Sequence, residues 1–68
     1  MELSTYNRKQ YQAELSSHKA RLAVVKELIN EATSPLMKND YIKEHNMHVR
    51  RIKKIQEILI EDVAAGAR

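Results

Sequence analysis

The sequence predicts an all-α protein. The expected architecture is an antiparallel two-helix hairpin of the helical coiled-coil type, paired into a homodimeric four-helix bundle. Three observations carry this expectation. Apolar residues recur at alternating spacings of four and three through the first half of the chain. The 68 residues include one proline, Pro35 near the middle, and one glycine, Gly66 near the end. A chain this short, without cysteine, has no disulfide or thiolate metal site to supplement a small core and is marginal without a partner subunit. A sandwich or barrel is excluded because it needs a turn about every 8–12 residues, usually built on Gly, Pro, Asn or Asp.

Helix 1 is expected over about residues 4–32. Ser4 or Thr5 can cap its free amides. Tyr11, Leu15, His18, Leu22, Val25, Ile29 and Ala32 then form an unbroken heptad seam. The connection falls within about residues 33–39, because Pro35 biases Ser34 away from helical angles. Ser34 followed by Pro35 also suits a cap and a first helical position. Helix 2 is expected over about residues 36–65, with Gly66 able to end it and residues 66–68 left as a tail. At about 100° per residue, Tyr41, Ile42, His45, His48, Val49, Ile52, Ile55, Leu59 and Val63 share one broad face. The chain reads as a single domain with no internal repeat and no low-complexity tract. The expected core is Leu15, Leu22, Val25 and Ile29 against Val49, Ile52, Ile55 and Leu59.

Both helices carry apolar side chains off these faces. Tyr6, Ala13, Ala20 and Val24 lie opposite the first seam. Met47 and Ile58 are read as lying away from the Ile52–Leu59 face, beside Arg51 and Lys54. Surplus apolar surface of this kind usually enters another interface. The expected function is therefore a small non-catalytic protein–protein interaction module. It would act as an inhibitor, adaptor or assembly factor by laying a helix face on a target protein. Met47, Arg51, Lys54 and Ile58 have the spacing of helix-in-groove anchors. Tyr6 is the expected exposed aromatic anchor.

Charge supplies the alternative. The net charge of +3 is mild, but Lys43, Arg50, Arg51, Lys53 and Lys54 face only Glu44 within residues 43–54. That cluster gives a second reading, a nucleic-acid-binding hairpin dimer contacting phosphates. The same residues also fit a solvated face of long side chains over apolar surface.

Other chemistry is not expected. His45 and His48 are spaced i,i+3, and His18 would approach them from the other helix, with Glu14 or Glu44 nearby. Neither glutamate stands three residues before a histidine, which the carboxylate-bridged bundle pattern requires. No metal and no cofactor is therefore expected, and a histidine inside the seam is expected to set register or pH sensitivity. No nucleophile arrangement or Gly-rich phosphate loop is present, so no catalytic residue and no small-molecule substrate are expected. The longest apolar run, Leu22–Val25, is far short of the ~20 residues that span a bilayer. With no secretory signal evident, a cytoplasmic bacterial or phage protein without a membrane partner is the expectation.

Overall fold

The structure, a computed structural model, describes residues 3–66 and is a hairpin of two long helices. α1 spans Thr5–Glu31 and α2 spans Pro35–Gly66. The molecule is a rod with extents of 52 × 15 × 12 Å. No strand occurs among the described residues.

Local chemistry sets the helix ends. Ser4 is the N-cap of α1, and its Oγ accepts the Asn7 N–H at 3.1 Å. Its carbonyl accepts the Arg8 N–H at 2.9 Å. α1 stops at Ala32, whose extended ψ of 127° turns the chain out of the helix. Pro35 opens α2, and the Ser34 carbonyl accepts the Lys38 N–H at 2.9 Å. A proline costs nothing at a first helical position, because its missing N–H has no intrahelical acceptor there. The turn thus occupies residues 32–34, and α2 starts at Pro35, one residue ahead of the expected start. Gly66 is the last residue of α2 rather than part of a tail. The remainder of the expected tail lies outside the described residues.

The helices run antiparallel, as the contacts between them show. Leu3 and Arg8 meet Asp62, Glu14 meets Arg51, His18 meets His48, and Arg21 meets Glu44. Writing both helices in heptads with Val25 and Ile55 at position d explains the burial. Position d holds the seam centre: Val25 and Ile55 are fully buried, and His48 and Asp62 are also buried. Positions a and g flank it and are largely half-buried. At a stand Leu15, Leu22, Ile29, His45, Ile52 and Leu59, and at g stand Glu14, Leu28, Glu44, Arg51 and Ile58.

This register corrects the expected seam of α2. The centre passes through His48, Ile55 and Asp62 rather than between Ile52 and Leu59. Val49, Ile42 and Val63 consequently sit at position e and are exposed. Ile58 and Arg51, read as remote from the packing face, lie on its g edge and are half-buried. The displacement follows from polar groups at d, which the apolar periodicity of α2 passes over. Asp62 takes a seam position that Val63 was expected to share. It does so because its carboxylate accepts the Leu3 N–H and, at 2.7 Å, the Arg8 Nε.

Candidate functional site

The middle of the hairpin holds six side chains joined in one line. Arg51 donates from Nε and Nη2 to both oxygens of Glu14, at 2.6 and 3.0 Å. Arg21 donates the same way to Glu44, at 2.6 and 3.1 Å. Such two-point pairs fix direction as well as distance. Glu14 Oε1 also meets His18 Nε2 at 3.4 Å, and Glu44 Oε2 meets His48 Nε2 at 3.2 Å. The two rings then meet each other Nδ1 to Nδ1 at 2.7 Å.

The electrostatics follow from this geometry. The Arg51 guanidinium holds the Glu14 carboxyl below its usual range, with partial desolvation opposing and His18 assisting. Arg21 does the same for Glu44, again opposed by desolvation and assisted by His48. Each arginine is correspondingly raised by its glutamate. A carboxylate only accepts, so a ring donates from Nε2 to its glutamate, and which ring donates across the Nδ1–Nδ1 contact is set by the tautomers.

The line is nearly symmetric, and the symmetry is written in the sequence. Tyr11, Glu14, His18 and Arg21 recur thirty positions later as Tyr41, Glu44, His48 and Arg51. Ser4, Glu27 and Glu31 recur as Ser34, Glu57 and Glu61, and Leu22, Val25, Leu28 and Ile29 recur as Ile52, Ile55, Ile58 and Leu59. The expectation of no internal repeat is corrected accordingly. An approximate two-fold axis passes through the His18–His48 contact and exchanges the two helices. The symmetry ends at Asp62, whose counterpart is Ala32. There the open end of the hairpin needs the Arg8–Asp62 clamp, whereas the other end is closed by the chain itself.

That axis gives the hairpin two unlike broad faces. One, the back, carries positions g and c of both helices, and both Glu–Arg pairs lie across it. The other, the front, carries a and e. The back uses its polar centre internally: no buried side-chain nitrogen or oxygen among the described residues lacks a partner. No group of three or more His, Asp or Glu is gathered to hold a metal among those residues. Among the described residues, no ion pair crosses the centre of the front. Leu15, Leu22, Ile29, Ile52 and Leu59 run along it half-buried, and Ile42, Val49 and Val63 extend it at the α2 edge.

The expected site residues separate on this frame. Met47, Arg51, Lys54 and Ile58 all lie on the back. Met47 and Lys54 are exposed, Ile58 is half-buried, and Arg51 is engaged with Glu14. Tyr6 is 70% exposed on the outer edge of α1, away from this stripe. Of the basic cluster, Lys43 and Arg50 point outward from α2, Lys53 borders the front and Lys54 the back. These four are exposed and lie within the outward b–f–c arc of α2. Of the expected core, Val25 and Ile55 are fully buried, five members are half-buried, and Val49 is exposed. The Glu–His–Arg line was not anticipated as a unit. Its signal was available as Tyr-x2-Glu-x3-His-x2-Arg occurring twice.

No family model, no curated protein and no solved structure matches the chain.

Proposed function

We propose that the protein is a non-catalytic interaction module that docks on a target protein through the front face of the hairpin. The observation that carries this reading is the unequal finish of the two faces. The back is spanned at its centre by two bidentate ion pairs and a histidine contact, with the exposed Val24, Met37 and Met47 lying outside those pairs. The front leaves five aliphatic side chains half-covered and three more exposed beside them. The chain exposes 5223 Å2. A compact protein of 7.9 kDa is expected to expose about 4,400 Å2. The surplus of about 800 Å2 is what a rod of 52 × 15 × 12 Å carries over a compact shape, and it is spread over the whole surface. The front is preferred to the Met47–Ile58 stripe because Arg51 must leave Glu14 before it can bind anything else.

The test is affinity capture of a target with paired variants. Val49→Glu puts a charge on the exposed front edge, and Met47→Glu puts the same charge on the back. A protein partner retained by the wild type and by Met47→Glu, lost by Val49→Glu and indifferent to nuclease supports the reading. Loss by Met47→Glu alone, or recovery that disappears with nuclease, overturns it. The second result transfers the function to the exposed cations Lys43, Arg50, Lys53 and Lys54.

A further inference from the structure

The front face is polarised in charge as well as apolar at its centre. Among the described residues, no carboxylate occupies position a, e or b of either helix. Glu14, Glu27, Glu31, Asp40, Glu44, Glu57 and Glu61 all fall at c, f or g, and Asp62 is buried in the seam against Arg8. Lysines occupy the vacated ring. Lys19 and Lys26 lie along the α1 edge, Lys53 lies on the α2 edge, and Lys9 and Lys38 stand toward the two ends. None of the five has a carboxylate within ion-pair distance among the described residues.

We propose that the front face binds an acidic amphipathic helix of a partner protein, laid lengthwise in the groove between α1 and α2. The inference rests on the docking reading above and names its partner class. The apolar centre calls for an apolar seam on the ligand, and the lysine ring calls for carboxylates flanking that seam. Length also fits: α1 has 27 residues. At 1.5 Å per residue it offers about 40 Å of groove, enough for a helix of about 25 residues.

A second copy fits less well. Packing two fronts together brings lysines against lysines, while each copy's own carboxylates lie a helix diameter away, at about 10 Å. A single-stranded nucleic acid meets a largely aliphatic centre here, with His45 the one ring at a, e or b among the described residues.

The experiment uses two synthetic peptides of about 25 residues with Leu at a and d. One carries Glu at e and g, and the other carries Lys. Each is titrated calorimetrically into the full-length hairpin. The expected result is one-to-one binding in which the Glu peptide is favoured by about tenfold, an advantage that shrinks in high salt. The triple variant Lys19→Glu, Lys26→Glu and Lys53→Glu, checked for retained helicity by circular dichroism, should reverse the preference. Equal affinity for the two peptides, or an unchanged preference in the triple variant, overturns the assignment. Failure of both peptides overturns it as well.

Sedimentation equilibrium separates this failure from that of the docking reading. A dimer that Val49→Glu dissociates shows that a second copy occupies the front; it overturns the acidic helix and leaves the docking face standing. A labelled RNA that displaces the Glu peptide overturns the acidic helix in favour of phosphate. Val49→Glu without effect in every assay removes the docking face itself.

Discussion

Ile55 is fully buried at the seam centre, whereas Ile60, one and a half turns further along the same helix, is 68% exposed. The pair offers a controlled perturbation. Ile55→Val removes one methylene from a site closed to water, which costs about 0.8 kcal/mol in transfer free energy. A rod only 12 Å thick can relax around so small a gap, so the cavity contribution is minor. The expected loss is about 1 kcal/mol, inside the usual range for this substitution. The unfolding entropy of a domain this size is roughly 0.14 kcal/mol per kelvin, giving a fall in Tm of about 7 °C. Ile60→Val carries the same change in helix propensity but removes little burial, and should shift Tm by less than about 2 °C. Thermal melts followed by circular dichroism at one protein concentration measure both. Equal shifts in the two variants would refute the register that places residue 55 at the centre.

Three further outcomes follow from the polar seam. His18→Leu and His48→Leu should each destabilise, because each leaves an imidazole at the seam without its ring partner, while the double variant should recover much of the loss. A double-mutant cycle should read a coupling of about 0.5–3 kcal/mol, and additivity would deny the contact. Glu14→Arg opposes two guanidinium groups and should lower Tm, and adding Arg51→Glu should restore it; failure of the restoration would show that the cross-helix pair does not set register. Acid sensitivity follows from the carboxylates. Asp62 is held below its usual range by Arg8, with the Leu3 N–H adding, and Glu14 and Glu44 are held low by their arginines. A carboxyl whose folded pKa is depressed contributes stability above its unfolded value and loses it as pH falls through the folded one. Stability should therefore hold down to about pH 4.5 and fall below it. Asp62→Asn should be less stable than wild type at neutral pH and converge with it in strong acid, and parallel pH profiles would contradict the assignment.

Much of the architecture was legible in the residues. Helix 1 announces itself because Leu15, Leu22 and Ile29 repeat every seven positions with Val25 between them, and no Gly or Pro interrupts. The turn announces itself through Ser34-Pro35. The centre of α2 was harder to place. Its apolar residues cover a wide arc, His48 stands at the seam centre rather than on the flank of that arc, and Asp62 occupies a core position that hydropathy assigns to the surface. Only the partners supplied by the other helix, namely His18, Arg8 and the Leu3 amide, make those positions favourable for polar groups. The site was obscured for a related reason. Arg51 stands in a run of cations and reads as part of a basic patch. Across the hairpin, however, it faces Glu14, and the bidentate pair engages it although its side chain stays 42% exposed. The thirty-residue repeat escaped the heptad pattern because its apolar members interchange Leu, Ile and Val. Its identities lie in the polar residues, which an apolar periodicity does not weigh.

The central claim is that the front of the hairpin, and not the back, is the binding face. Methyl chemical-shift mapping tests it most directly, with the full-length protein titrated with the Glu-flanked peptide. The account predicts shifts concentrated on Leu15, Leu22, Val49, Ile52 and Leu59, with Met47 and Ile58 little changed. Shifts concentrated on Met47 and Ile58 would contradict it, as would a spectrum that the peptide leaves unchanged.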